Sequence, residues 1–140
     1  MKKIKYTAVF AVIGFSAISA QNSLTVHVSN IEAAKRNVEI GLFNKEKGFL
    51  KNGHQYVSKK IKVAGNKVKY TFQNLPKGHY SVAVYHDANG NSKCDTNMIG
   101  MPTEGFGFSQ NFRPKLSAPT FDQTKVFVEN SKSVEIKLIN

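Results

Sequence analysis

Cysteine is nearly absent from this 140-residue chain, which carries one, Cys94. A single thiol cannot close an internal disulfide, so stability has to come from core packing, with or without the help of an ion. Arginine is almost as scarce: Arg36 and Arg113 are the only two, and every other basic residue is lysine. Readout of phosphates or bases leans on arginine forks and clustered charge, whereas the lysines here are scattered along alternating segments, as at Lys60, Lys62, Lys67 and Lys69. That distribution fits a solvated face that also blunts sheet edges, and it argues against nucleic acid as a partner. Long apolar runs are missing too. The one such stretch, Ala8 to Ile18, falls short of the roughly 20 residues a membrane helix needs, and no second follows, so no membrane span is expected.

That short run has a meaning of its own. Lys2, Lys3 and Lys5 precede it, and the small residues Ser16, Ala17, Ser19 and Ala20 close it. Basic start, apolar middle and small-residue end are the order of a secretory signal peptide, here over residues 1–20, with cleavage expected just before Gln21. An uncleaved anchor is the competing reading. A lipid anchor would require a cysteine directly after the cut, and Cys94 lies far from it. The product is therefore expected to be a secreted or periplasmic soluble protein. Removing the three lysines of the signal takes the formal charge from +11 to +8.

Residues 21–140 have the length of one domain with a single two-layer core. Period-two alternation dominates them, and no stretch carries a helical stripe. Leu24, Val26 and Val28 alternate with polar residues, as do Val38, Ile40 and Leu42. The segment from Tyr56 to Val63 is weaker, with Ile61 and Val63 as its inward pair. Val68, Tyr70 and Phe72 alternate with Lys67, Lys69 and Thr71; Tyr80, Val82 and Val84 follow. Lys125 to Glu129 and the triplet Val134, Ile136 and Leu138 complete the set. About seven strands joined by Gly, Asn and Pro turns predict an all-β fold, a single antiparallel β-sandwich of prealbumin-like or immunoglobulin-like kind.

Residues 44–53 read as a loop or a short helical turn. The exception to the alternation runs from Asp87 to Gln123. It holds Pro102, Pro114 and Pro119 with several glycines, and loops of that length in compact domains are usually functional or disordered. Its phenylalanines argue for order, with Phe106 and Phe108 packed on the sheet and Gly105 and Gly107 allowing a close approach. A phosphate cradle is not expected, because no helix start with Lys and Ser or Thr follows these glycines.

Two motifs carry more detail. Phe72-Gln-Asn74-Leu75-Pro76-Lys-Gly78-His-Tyr80 has the chemistry of a tight turn between strands. It resembles the corresponding turn of prealbumin-like sandwiches, among them collagen-adhesin B-type repeats and the regulatory domains of carboxypeptidases. In Asp87-Ala-Asn89-Gly90-Asn91-Ser-Lys93-Cys-Asp95, oxygen-bearing side chains fall at the first, third, fifth and ninth positions, the spacing of the first part of an EF-hand loop. Calcium takes six to eight hard oxygen ligands, and the Lys93 carbonyl is a further candidate. Two features depart from the pattern: the glycine is fourth rather than sixth, and the twelfth residue is Met98, where a bidentate Glu belongs. Glu104 closes the coordination if the loop folds back. The competing reading is a metal-free loop in which Asp and Asn cap their own backbone.

The run from Val84 to Asn111, with Tyr85-His86-Asp87-Ala-Asn89-Gly90-Asn91 at its start and Gly100-Met-Pro102-Thr-Glu104-Gly105-Phe106-Gly107-Phe108-Ser109 near its end, resembles the hallmark stretch of the bacterial family called domain of unknown function 2141. The order and spacing of the remaining strands agree with it. The resemblance implies a small secreted or periplasmic domain.

The expected function is thus an exported, non-enzymatic binding or envelope-associated module with calcium as a candidate ligand of Asp87, Asn89, Asn91, Lys93, Asp95 and Glu104. Its partner would be an extracytoplasmic protein or glycan, and the chain is expected to be monomeric. The alternative is a small hydrolase or carbohydrate-active enzyme using His86, Asp87 and Glu104. A Ser109, His86 and Asp87 device lacks the nucleophile-elbow sequence around the serine.

Overall fold

The computed structural model describes residues 21–140 apart from 33 and 99, together with 9, 11 and 14. The signal-peptide expectation for residues 1–20 lies almost entirely outside the described residues.

Eight strands form two sheets. β1 (Asn22–Ser29) runs between β4 (Val68–Leu75) and β8 (Ser131–Lys137) in a three-stranded sheet. The second sheet has the order β3 (Val57–Lys62), β2 (Asn37–Phe43), β5 (Gly78–Asp87) and β6 (Phe106–Phe108), and β7 (Val126–Val128) pairs with the first part of β5. Alternation explains the layering, because successive side chains point to opposite faces. Leu24, Val26, Val28, Val38, Ile40, Leu42, Val82, Val134, Ile136 and Leu138 all turn inward and are buried between the sheets. All neighbours are antiparallel except β1 and β8, which run parallel from Ser23↔Ser131 to Ser29↔Lys137. A parallel pair joins segments distant in sequence and leaves no turn signature, so the expectation of a purely antiparallel sandwich needed this one amendment.

The turn after β4 follows its sequence. Asn74 adopts a left-handed backbone with φ of 56°, and the buried Tyr80 hydroxyl donates to the Pro76 carbonyl at 2.6 Å. That bond closes the turn across four residues and explains why Pro and Tyr occur at this spacing.

The stretch from Asp87 to Gln123 is ordered beyond what alternation suggests. It contains β6, a short 3-10 turn at Ser109–Asn111 and the start of α1 (Phe121–Thr124). Gly107 faces the core, where a Cβ would stand 2.5 Å from Ile136 Cγ2. Phe106 and Phe108 take the opposite face and are buried, with their rings 5.9 Å apart. A second apolar layer covers that outer face: Phe49, from the loop after β2, stacks edgewise on Phe43 at 5.2 Å and on Phe121 at 5.8 Å. Helix α1 starts on a capping box, in which Thr120 Oγ1 accepts from Gln123 N and Gln123 Oε1 accepts from Thr120 N.

Candidate functional site

The last residue of β5 sets up the loop. In the β2–β5 ladder Asp87 pairs with Asn37 and His86 with Val38, so the two side chains leave the sheet on opposite faces. Asp87 emerges on the outer face and is fully buried beneath the chain that follows. Its Oδ1 accepts from Asn91 N at 3.1 Å and its Oδ2 from Ser92 N at 2.8 Å. Both carboxylate oxygens thus hold the turn that carries the other candidate ligands.

Two Asx turns follow in series. Asn89 Oδ1 accepts from Asn91 N at 3.1 Å, and Asn91 Oδ1 accepts from Lys93 N at 2.9 Å. Gly90, with φ of 74°, and Ser92, with φ of 60°, supply the left-handed steps between them. The side chain of Arg36 packs against Gly90 where a Cβ would otherwise sit. The amide nitrogens of the two asparagines turn to a single acceptor. Asn89 Nδ2 donates to Asp95 Oδ2 at 2.6 Å, and Asn91 Nδ2 donates to Asp95 Oδ1 and Oδ2 at 2.9 and 3.0 Å.

Residues 95–103 then double back. Thr96 and Pro102 form an isolated bridge, and Thr103 N donates to the Asp95 carbonyl at 2.8 Å. This return brings Glu104 against the start of the loop, where its Oε1 accepts from Ala88 N at 3.1 Å. Glu104 Oε2 is enclosed and has no hydrogen-bond partner among the described residues. The loop therefore joins Asp87, Asn89, Asn91 and Asp95 in one network and places Glu104 beside Ala88. Lys93 takes part through its backbone.

Three residues of this site have no motif to announce them. Tyr85 lies two residues before Asp87 on the same outer face, and Glu39 is its ladder partner on β2. Burial pushes the Tyr85 phenol far up, and the charges of Glu39, Asp87, Cys94 and Glu104 push it further. Lys60 balances part of this negative charge, lying 3.2 Å from Glu39 Oε1 and donating to Ser92 Oγ at 2.9 Å. The only signal for the set is the two-residue period of β5, which becomes useful once the β2–β5 register is fixed.

Cys94 reports on the same field. Desolvation by its neighbours, then Glu104, then Asp95, raise its thiol to about 11. At pH 8 a thiol of pKa 11 holds about a hundredfold less thiolate than one of pKa 9, and the thiolate is the nucleophile. Iodoacetamide should therefore label folded Cys94 slowly at pH 8 and progressively faster towards pH 11. Glu104→Gln should move that profile part of the way to lower pH; a midpoint near pH 8.5 in the wild type would contradict the raised thiol.

The residues of the enzymatic alternative are distributed differently. His86 is buried on the inner side with Nε2 at 2.9 Å from the Lys35 carbonyl, away from the Asp87 and Glu104 carboxyl groups. Ser109 is also buried, and its Oγ accepts from Val82 N at 2.9 Å and donates to the Thr124 carbonyl at 2.5 Å. Two surface concavities, about 320 and 660 Å³, centre on His27, Lys69 and Glu135 and on Asn22, Asn74 and Asn130. Neither is lined by residues 87–104. Among the described residues no three His, Cys, Asp or Glu side chains gather closely enough to hold a metal by themselves, so a cation here would depend on amide and carbonyl oxygens.

A family model described as "Uncharacterized protein conserved in bacteria (DUF2141)" matches residues 26–137. No curated protein and no solved structure matches the chain.

Proposed function

This chain belongs to the family of uncharacterized proteins conserved in bacteria, domain of unknown function 2141, and we propose that it is an exported, non-enzymatic β-sandwich module whose loop after β5 binds calcium. The observation that carries this reading is the convergence of the Asn89 and Asn91 amides on the Asp95 carboxylate, next to the buried Asp87. Two N–H dipoles now neutralise Asp95. Rotation of each amide about its terminal torsion exchanges nitrogen for oxygen at nearly the same place, and a cation then takes over as the positive partner. Asn91 N keeps its Asp87 acceptor through that change, while its bond to Asn89 Oδ1 and that of Lys93 N to Asn91 Oδ1 are given up.

Glu104, held beside Ala88, has a second carboxylate oxygen without a donor among the described residues, and the Lys93 carbonyl is a further candidate ligand. Few full charges in an otherwise neutral ligand set give modest affinity, in the roughly 0.1–1 mM range of extracellular calcium modules. Calcium titrated calorimetrically into the mature protein should give one saturable event in that range. Magnesium should give none of comparable strength, because it demands tighter octahedral geometry and sheds water reluctantly. No calcium event at all would leave the loop as a metal-free set of Asx turns, and a magnesium event of equal strength would contradict a calcium site.

Export rests on residues 1–20, whose basic, apolar and small-residue order is that of a cleavable signal. No helix among the described residues is long and apolar enough to cross a membrane. The mass of protein recovered outside the cytoplasm should correspond to a chain starting at Gln21. A mass that includes Met1 would refute cleavage. In that setting the ordered loop would present its surface to an extracytoplasmic protein or glycan.

A further inference from the structure

The two long sides of the sandwich are finished differently. On one side β6 is tied to the chain end after β8, since Phe106 N donates to the Ile139 carbonyl at 3.0 Å and Ile139 N returns a bond to Phe106 at 2.7 Å. That side is sealed. On the other side β3 ends its sheet and β4 ends the opposite one, and among the described residues no strand crosses the gap. The side chain of Lys59 spans it, its Nζ lying 5.4 Å from the centre of the Tyr70 ring.

The ladder parity identifies the free backbone of β3. His86 N donates towards β6, to Gly105, so the even residues of β5 face β6 and its odd residues face β2. On β2 the even residues then face β3, which turns Val57, Lys59 and Ile61 towards β2; Val63 N, bonded to the Arg36 carbonyl, has the same parity. The N–H and C=O groups of Ser58, Lys60 and Lys62 consequently point away from the sheet along the open edge. Beside them Tyr56 and Val57 are exposed at 45% and 37%.

We propose that the open edge of β3 is a docking site for an extended acidic polypeptide segment that adds to the sheet as a further strand. Three of the six residues of β3 are lysines, while Lys67 precedes and Lys69 lies on β4, the edge strand of the opposite sheet. Glu39, the ladder partner of Lys60 on β2, is already paired with it. That charge selects the occupant. A second copy would set Lys59 and Lys60 against their own counterparts, and like charges opposite one another destabilise a pairing. An acidic strand instead finds opposite charge, unpaired main-chain groups and the half-exposed side chains of Tyr56 and Val57 at the start of the edge, which together suit strand addition. Lys60 borders the loop after β5 through Ser92 Oγ, but the outward main-chain groups of Ser58, Lys60 and Lys62 take no part in the Asp95 network.

The test is fluorescence anisotropy of a labelled peptide of alternating valine and glutamate, added to the mature domain. The wild type should bind it, less tightly as ionic strength rises. Ser58→Pro removes an outward N–H while sparing the β2–β3 ladder, and should weaken binding about five- to tenfold with little change in melting temperature. Lys62→Glu, which leaves the backbone whole, should weaken it at least as much and serves alone if the proline variant fails to fold. A peptide of equal charge with proline at every valine should bind poorly. The proposal is overturned if the proline peptide binds as well as the valine one, if neither variant changes the affinity, or if dextran sulfate or phosphatidylglycerol vesicles bind while the valine peptide does not.

Discussion

Val82→Asp is expected to leave the domain unfolded at 25 °C, while Lys69→Ala should melt with the wild type. Val82 is completely buried in β5, opposite Leu42 in the ladder and facing the three-stranded sheet. An unpaired carboxylate at that depth costs several kcal/mol, a large share of the roughly 5–15 kcal/mol that holds a domain of this size together. Lys69 is exposed on the outer face of the other sheet, paired with His27, where a single change stays within about 0.5 kcal/mol. Circular dichroism melts of the two variants decide the matter, and equal melting temperatures would refute the register of β5.

Asp87→Ala should have the next largest effect, and it separates two roles. The first is structural. Both oxygens of this buried carboxylate accept backbone N–H groups, from Asn91 and Ser92; losing them leaves Ser92 N without its acceptor and Asn91 N with Asn89 Oδ1 alone, at about 1–3 kcal/mol. The second is the proposed ion. Asp87→Asn keeps one acceptor for the turn but removes the charge, so it should retain more of the stability than Asp87→Ala and still lose the response to calcium. Denaturant midpoints in calcium and in chelator should coincide for both variants. A calcium increment that survives in Asp87→Asn would take the carboxylate out of the ligand set.

Most of the sandwich is legible in the chain because its strands are long enough for alternation to repeat. Leu24, Val26 and Val28 mark β1, and Tyr80, Val82 and Val84 mark β5, each with its inner face given by period alone. β6 is not legible. It has three residues, its core-facing position is Gly107, and its two phenylalanines lie on the outer face beneath later chain, so the usual relation between apolar residue and inner face is reversed. Helix α1, of four residues, is not legible either, because one capped turn is too short to set a helical period. The candidate site divides in the same way. Asp87, Asn89, Asn91 and Asp95 are recognisable from spacing within one loop, and the structure adds that Glu104 returns to Ala88. Glu39 and Lys60 are brought to Tyr85 and Ser92 by strand register, which no local pattern encodes.

Melting of the wild-type mature domain in millimolar calcium and in chelator tests the calcium-bound loop most directly. An ion that binds only the folded state at about ten times its Kd stabilises it by about 1.4 kcal/mol, which for a domain of this size raises the melting temperature by roughly 4–8 °C. Calcium should produce that rise, chelator should abolish it, and magnesium should reproduce little of it. Superimposed curves in calcium and chelator would contradict the account and leave Asp87 and Asp95 as acceptors for the loop's own N–H groups.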